Sequence, residues 1–183
     1  FISPESATTD ENGRVVTNVS SGTIAGVVQI IAEANVDGRQ ILSKPVAVSI
    51  LGGLPVLDHF ALATCVFNVH KAWEVLGVEA SVTAYVGDQY FNPVRPGTSV
   101  YFTASAGIIE GSAQTDDIGT GTVRIISALP RPVHPEFGNG YVTVTGSTAN
   151  RDLDEITDDA RLRSSGSTNI VFPAGQGTLA IGP

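Results

Sequence analysis

Apolar and polar residues alternate with a period of two along many short stretches of this chain. In "SVTAYV", Val82, Ala84 and Val86 fall on one face of an extended strand. The same alternation runs through "SVYFTA" (99–104), "GTVRIIS" (121–127) and "YVTVTG" (141–146). One apolar face and one polar face are typical of strands in antiparallel sheets. The pattern predicts an all-β protein, most simply a β-sandwich.

Residues that favour turns separate these strands. The stretch "GDQYFNPVRPG" (87–97) and the Pro-rich stretch "LPRPVHPEFGNG" (129–140) both read as loops. The segment "FNVHKAWEVLGVEA" (67–80) could form a short helix, but its three valines, Val66 just before it and Gly77 favour an irregular strand. We therefore predict no major helix.

A small acidic turn occurs twice in the chain. "ATTDENG" (7–13) returns in weaker form as "AQTDDIG" (113–119). The first aspartates of the two turns, Asp10 and Asp116, are 106 residues apart. The similarity continues from "RVVTNVSS" (14–21) into "TGTVRIIS" (120–127) without a gap. A repeated order of turn, strand, loop and strand indicates an array of one module.

The repeat sets the predicted domain boundaries. Because residue 1 aligns with Gly107, we interpret residues 1–53 as the C-terminal half of an Ig-like module. Residues 54–172 then form a complete module, close to the roughly 100 residues of an Ig-like sandwich, and residues 173–183 begin a following module or a tail. Half a sandwich exposes its core face. We therefore expect residues 1–53 to find partner strands in another chain, on the complete module, or in a first half that is absent from this sequence.

Composition excludes several classes of function. The net charge is −8, and the ten Lys and Arg residues are scattered, so no basic surface for nucleic acid is expected. No window approaches the roughly 20 apolar residues of a membrane span. The sequence contains no Met, and no signal peptide is visible. These two features suggest a segment of a longer or processed protein.

The single cysteine is Cys65, so no disulfide can form within the chain. Its surroundings, "FALATCVF" (60–67), are apolar. A free thiol in such a setting behaves as a small hydrophobic side chain. We predict a buried, unreactive thiol.

Catalytic and cofactor motifs are not recognisable in the sequence. His59, His70 and His134 lack the close spacing of metal motifs, and no serine lies in a G-x-S-x-G elbow. The Gly-rich stretches "GTGTV" and "GNGYV" read as turns rather than phosphate-binding loops. We predict a non-enzymatic protein without a cofactor.

One acidic stretch, "NRDLDEITDD" (150–159), could bind calcium. Its candidate ligands are Asp152, Asp154 and Asp158, because alternate carboxylates can converge on Ca²⁺. The stretch lacks the glycine that a tight calcium loop needs, and the aligned "NVDGRQILSK" (35–44) is not acidic. We therefore favour a plain hairpin turn with solvated acids and predict no metal.

Residues 81–132 carry a recognisable family pattern. A valine-rich strand is followed by Asp88, Asn92-Pro93-Val94, Gly97-Thr98 and Thr115-Asp116. This order resembles the bacterial Ig-like repeats of invasin- and intimin-type surface proteins. The resemblance covers most of residues 54–172 and half a copy before it. It implies tandem Ig-like sandwiches at the bacterial surface or in a secreted protein, and it carries no catalytic residue.

The resulting hypothesis is a structural or spacer module whose partners are neighbouring Ig-like modules or another copy of the chain. The alternatives are an adhesin module that binds carbohydrate or protein, and an accessory domain of a secreted enzyme. Candidate contact aromatics for an adhesin are Tyr85, Tyr90, Phe91, Tyr101, Phe137 and Tyr141. A core or strand role explains the same residues, because scattered surface aromatics are common.

Overall fold

A computed structural model of the protein describes residues 1–149 and 155–165 and divides the chain into two units, Phe1–Leu51 and Gly52–Pro183. Throughout these described residues the regular elements are β-strands, apart from one 3-10 turn at Leu57–His59. No helix among them is long and apolar enough to cross a membrane. The prediction of an all-β protein is confirmed.

Unit 1 consists of short antiparallel ladders. Its strands are β1 (Ile2–Ser3), β2 (Asn18–Val19), β3 (Gly26–Ile30), β4 (Glu33–Val36), β5 (Arg39–Leu42) and β6 (Val46–Ile50). β1 pairs with β2, β3 with β6, and β4 with β5. The last two ladders form one long hairpin that reverses at Asp37 and Gly38, both at positive φ. An Asp-Gly pair is the residue combination that such a turn favours.

Unit 2 contains the remaining strands. They are β7 (Phe60–Thr64), β8 (Asn68–His70), β9 (Glu79–Val86), β10 (Ser99–Ala104), β11 (Ile108–Ile109), β12 (Ser112–Gln114), β13 (Thr120–Ile126), β14 (Val133–His134), β15 (Gly138–Asn139), β16 (Tyr141–Ala149) and β17 (Glu155–Ser165). One sheet has the order β11-β13-β9-β7, and the other has the order β12-β10-β16-β17-β8. β14 and β15 form a small separate hairpin.

The strand order makes unit 2 an Ig-like sandwich. The first two long strands of one sheet, β7 and β9, are followed in space by β13, while β10, β16 and β17 build the other sheet. This division corresponds to the two sheets of the immunoglobulin fold. Among the described strands every pair is antiparallel except β8 with β17, which are the first and last strands of the second sheet in chain order. The predicted fold class is confirmed.

The core lies between the two sheets of unit 2. Its fully buried side chains include Val82, Val100, Val123 and Val144, which come from β9, β10, β13 and β16. Each lies on the apolar face of an alternating strand. Burying such a side chain stabilises the fold by about 1.5–3 kcal/mol. The packing of the two sheets against each other therefore follows from the alternation of apolar residues.

The two ends of the sandwich are distinguished by the register of its strands. At the entry end, Phe60 at the start of β7 pairs with Val86 at the end of β9. At the exit end, Ile126 pairs with Glu79, and Tyr141 pairs with Arg163 near the end of β17. The polypeptide therefore enters unit 2 at one end of the sandwich and finishes β17 at the other.

Two local predictions have different outcomes. Residues 67–80 form β8, a series of turns and the start of β9, as an irregular strand rather than a helix. The prediction of a buried thiol is wrong, because Cys65 is exposed. It lies at the bend after β7, where the preceding residue, Thr64, takes the buried position and accepts a hydrogen bond from the amide of Val66.

Candidate functional site

The most organised polar cluster in the described part of unit 2 surrounds Asp88 at the entry end. We call it the Asp88 anchor; it comprises Gly52, Gly53, Asp88, Asn92 and Pro93. Asp88 and Asn92 occupy the turn after β9, and the two glycines begin unit 2. The anchor therefore joins residues that are 35 positions apart in the sequence.

The Asp88 carboxylate is the centre of the anchor. Its side chain is buried, with a relative exposure of 3% for the residue. Its oxygens accept hydrogen bonds from the backbone N–H groups of Gly53 (2.8 Å), Tyr90 (2.8 Å) and Asn92 (2.9 Å). The Asn92 side-chain amide also donates to both oxygens, at 3.2 and 3.0 Å. A buried carboxylate is tolerated only with such partners.

These contacts also set the ionisation of Asp88. Burial by itself would raise the pKa of the carboxyl, because it disfavours the charged form. The hydrogen bonds from the Asn92 side chain and from the amides of Gly53, Asn92 and Tyr90 outweigh burial and hold the pKa below its usual value. Asp88 is therefore an ionised hydrogen-bond acceptor at neutral pH, and its partners hold the turn in place.

Close backbone packing completes the anchor. A Cβ atom on Gly52 would lie 1.8 Å from the carbonyl oxygen of Pro93, well inside any possible contact. Only glycine lets the two backbones approach this closely. The segment that begins unit 2 is therefore held against the 88–94 turn both by packing and by the Gly53 hydrogen bond.

An aromatic pair lies beside the anchor. The ring of Phe91 packs on the ring of His59 with a centroid separation of 3.8 Å, and His59 Nδ1 contacts the carbonyl oxygen of Asp88. Phe91 is 82% exposed and has a φ of 64°. Positive φ is unusual for a bulky residue and is found more often at functional positions.

A second turn at the entry end repeats a turn of unit 1. Asp116 Oδ1 accepts hydrogen bonds from the amides of Ile118 and Thr120 at 3.1 and 2.7 Å. Asp10 Oδ1 accepts from Asn12 and Arg14 at 2.9 and 2.8 Å. The fourth residue of each turn is glycine at positive φ, 76° in Gly119 and 74° in Gly13.

Hydrogen bonding also affects the acidity of the second copy of this turn. The Thr120 hydroxyl and amide, followed by the Ile118 amide, lower the pKa of Asp116. Each of the two aspartates thus fixes its own turn through local amides. This is a structural use of the repeated acidic motif, and it needs no ligand.

The candidate contact aromatics do not converge on one site. Tyr90 and Phe91 follow β9 at the entry end, whereas Phe137 and Tyr141 lie at the exit end beside β16. Phe137 contacts the rings of His134 and Tyr141, with centroid distances of 4.7 and 5.7 Å. The remaining two, Tyr85 and Tyr101, are exposed on strands of different sheets.

The histidines do not form a metal site within the described residues. His59 lies at the entry end, and His134 Nδ1 accepts hydrogen bonds from the amides of Glu136 and Phe137 in the loop before β16. Across residues 1–149 and 155–165, no group of three His, Cys, Asp or Glu side chains is placed to hold a metal.

Of the three candidate calcium ligands, Asp152 and Asp154 lie outside the described residues. The third, Asp158, is half-buried in β17. Its Oδ2 accepts a hydrogen bond of 2.8 Å from the amide of Leu62 in β7. Because β7 and β17 belong to opposite sheets, this contact ties the two sheets together at one side of the sandwich.

An apolar pocket opens at the exit end. It is lined by residues that include Val69, Ile125, Pro132, Val142 and Leu162, and it offers about 40 Å³. Ligand-binding pockets usually have several hundred cubic ångströms. The pocket is therefore a packing defect near the end of the core rather than a site for a substrate.

Sequence reasoning identified part of the Asp88 anchor and missed the rest. The turn residues Asp88, Asn92 and Pro93 belong to the motif that suggested the family, and their turn-forming role was expected. The contribution of Gly52 and Gly53 was missed, because Gly52–Pro55 reads as a short linker between modules. Two consecutive glycines just after an apolar strand could have signalled a close backbone approach.

Comparisons with known proteins add a likeness at the level of structure. No family model matches the chain, and no curated protein matches it. The chain is similar to a solved structure described as the D00-D0 domain of intimin, with a TM-score of 0.42, 16% identity, and coverage of 74% of this chain and 64% of that chain.

It is also similar to the D0-D1 domain of intimin, with a TM-score of 0.41, 15% identity, and coverage of 89% of this chain and 75% of that chain. The chain thus spans less than two thirds of the first structure. At these identities and TM-scores, the likeness carries no argument about activity, ligands or partners.

Proposed function

We propose that this protein is a non-enzymatic structural spacer of a bacterial cell-surface or secreted protein, with Ig-like modules as its neighbours. The supporting observation is the path of the polypeptide through unit 2. The polypeptide enters unit 2 beside the Asp88 anchor and finishes β17 at the exit end. The length of the sandwich therefore separates the polypeptide before unit 2 from the end of β17. A module whose two attachments lie at opposite ends adds length to an array.

The first and last strands of the second sheet, β8 and β17, suit a module that carries tension. β8 and β17 run parallel, with Asn68 opposite Arg163 and Ser165 opposite His70. Tension applied at the two ends pulls these strands along their axes in opposite directions. The hydrogen bonds between them are then loaded together in shear rather than opened one by one.

The anchor supports the same function at the entry end. The bonds from Gly53 to Asp88 and from Val56 to Gly87 fix the first residues of unit 2 to its body. A fixed entry point transmits force to the sandwich without first extending slack polypeptide. Among the described residues, the titratable groups with shifted pKa values, Asp88, Glu110, Asp116 and Arg124, all have structural hydrogen-bond partners.

Single-molecule force spectroscopy of the full chain tests this proposal. We expect end-to-end pulling to give one discrete rupture for unit 2 and a length gain on the order of 350 Å, since an extended residue spans up to about 3.6 Å. The Val69→Pro variant should rupture at a clearly lower force, because proline in the middle of β8 disrupts its pairing with β17.

Val69→Ala is the matched control, since it also loses the valine side chain but keeps the backbone N–H. A similar rupture force for V69P and V69A would contradict loading through β8 and β17. Gradual extension of the wild-type chain without a discrete rupture would contradict the spacer function itself.

An adhesin is the second candidate, and one observation favours it. Tyr90 and Phe91 are exposed on a turn that the Asp88 anchor holds rigid, and Phe91 has positive φ. Rigid exposed aromatics are common anchors in recognition sites. A glycan array and a host-protein pull-down with the full chain should show saturable binding that Tyr90→Ala or Phe91→Ala abolishes and Tyr85→Ala leaves intact. Absence of saturable binding would exclude this candidate.

A further inference from the structure

Unit 1 exposes an apolar face on its long hairpin. Val28 of β3 lies opposite Val48 of β6, and Ile30 lies opposite Val46 in the same ladder. Val28 is 44% exposed and Val48 is 38% exposed. Val19 of β2 is 48% exposed. Isolated two-stranded ladders with uncovered valines are marginally stable at best in water.

The same positions are buried in unit 2. The hairpin of β16 and β17 pairs Val142 with Leu162, and Val144 with Ala160, which repeats the spacing of the two pairs in unit 1. These four side chains have relative exposures of 8%, 3%, 0% and 8%. Ile125, which lies 106 positions after Val19, has a relative exposure of 7%.

The matching turns support this equivalence independently of the hairpins. Asp10 and Asp116 lie 106 positions apart, and each accepts hydrogen bonds from the amides two and four residues later. Each turn also has the bond from the amide of its glycine to the carbonyl of its aspartate. Unit 1 therefore repeats the acidic turn and the hairpin side-chain spacing of the second half of unit 2.

In unit 2 the equivalent face is covered by the first half of the module. The side chains that share its core come from β7, β9 and β10, and they include Phe60, Val82, Val86, Val100 and Phe102. All five are buried. In unit 1, no described residues occupy the equivalent positions, since the unit contains only β1 to β6.

We infer that the apolar face of the unit 1 hairpin, formed by Val28, Ile30, Val46 and Val48, docks a half-module with strands of the β7 to β10 type, supplied by polypeptide joined ahead of Phe1. Its occupant has the alternating strand pattern of residues 52–106. In unit 2 only residues 105–107 connect β10 to β11, so a short connection suffices for the covalently joined arrangement.

A second copy of this chain is a poor occupant. Its own β7, β9 and β10 bury their apolar faces in the core of unit 2, where Val82 and Val100 have no exposed surface. If these strands packed on unit 1 of another copy instead, the core of unit 2 would open. The apolar surface exposed there would be as large as the surface covered on unit 1. The inference is independent of whether unit 2 acts as a spacer or as an adhesin.

Hydrogen exchange of an extended chain tests the inference. A copy of residues 52–106 is placed directly ahead of Phe1 in the full chain, which restores the order found in unit 2. We expect the amides of β3 and β6 to gain about 100-fold or more in protection, since a covered ladder opens only with its module. Amides of β13 and β16 in unit 2, which the copied segment does not contain, serve as the internal reference.

Two variants of the extended chain provide the matched comparison. Val28→Asp places a charge on the docking face and should abolish the gain in protection. Val27→Asp lies on the opposite, exposed face of the same strand, where Val27 pairs with Ser49, and should leave the gain intact.

Three results would overturn the inference. The first is an extended chain whose β3 and β6 amides exchange as fast as those of the original chain. The second is an original chain whose β3 and β6 amides are already protected as a monomer. The third is protection of the original chain that rises with concentration together with dimer formation, which would identify a second copy as the occupant.

Discussion

At the scale of single residues, Asp88 shows how one buried carboxylate can organise a whole end of a sandwich. Its oxygens take three backbone amides and one side-chain amide, and one of those donors, Gly53, is distant in the sequence. Removing the acceptor leaves buried donors unsatisfied, and each such donor costs about 1–3 kcal/mol.

We therefore expect Asp88→Ala to lower the free energy of unfolding of unit 2 by about 3 kcal/mol, because several donors lose their acceptor together. Urea unfolding followed by the fluorescence of Trp73, the single tryptophan of the chain, measures this. Asp117→Ala, at an exposed position of the neighbouring turn, should stay within about 0.5 kcal/mol of the wild type. Equal effects of the two variants would contradict the anchor.

Gly52 offers a second test at this scale. Its missing side chain leaves room for the Pro93 carbonyl, so Gly52→Ala must displace one backbone segment. We expect a loss of about 1–3 kcal/mol, the usual cost of forcing an extra methyl group into a packed site.

Gly111→Ala is the control for that substitution, because a Cβ atom there would meet no heavy atom within 4 Å. It should change the unfolding free energy by less than about 0.5 kcal/mol in the same assay. A neutral Gly52→Ala would mean that the entry segment lies away from Pro93.

At the scale of elements, β7 and β17 show how the two sheets are joined at their edge. β7 pairs with β9 on one side only, and on its other side the amide of Leu62 donates to Asp158 of β17. This single bond satisfies an edge donor that would otherwise face the gap between the sheets.

We expect Asp158→Ala to speed exchange of the Leu62 amide about 10-fold or more. Without the Asp158 carboxylate, this amide has lost its hydrogen-bond acceptor and exchanges whenever β7 opens locally. The Ala84 and Val123 amides in the neighbouring strands should change much less. Thr157→Ala, at the adjacent exposed position, is the control. An unchanged Leu62 amide in Asp158→Ala would show that β7 is held by packing alone.

At the scale of elements, the sequence predicted correctly the features that depend on neighbouring residues alone. The alternation in β9, β10, β13 and β16 identified strands and their buried faces, because side-chain direction in a strand reverses at every residue. It failed at Cys65, since the apolar run "FALATCVF" continues past the end of β7 and composition does not show where a strand bends.

At the scale of the whole molecule, acid sensitivity depends on the carboxylates whose pKa values the fold lowers. Hydrogen bonds lower the pKa of Asp88 and Asp116, and contacts with Arg124 lower the pKa of Glu110. A group whose pKa is lower in the folded state stabilises the fold above its unfolded pKa. That contribution is lost as the pH falls through the folded pKa.

We therefore expect the unfolding free energy of the wild type to fall steadily between about pH 5 and about pH 2. Asp88→Asn should be less stable at neutral pH and show a shallower decline, because it has lost one of the ionisable groups with a lowered pKa. Chemical unfolding at a series of pH values measures both slopes. Equal slopes would mean that the fold does not lower the pKa of Asp88.

The sequence alone determined the strand faces, the turns and the recurrence of the acidic bend, because each depends on residues within one short segment. The resemblance to bacterial Ig-like repeats added the fold class that the strand order confirms. Only the tertiary structure decided the bonds from Gly53 to Asp88 and from Leu62 to Asp158, which span 35 and 96 positions. Such pairs depend on how distant strands register and on which strands lie at an edge. That information belongs to the packed sandwich, since no local pattern of residues encodes it.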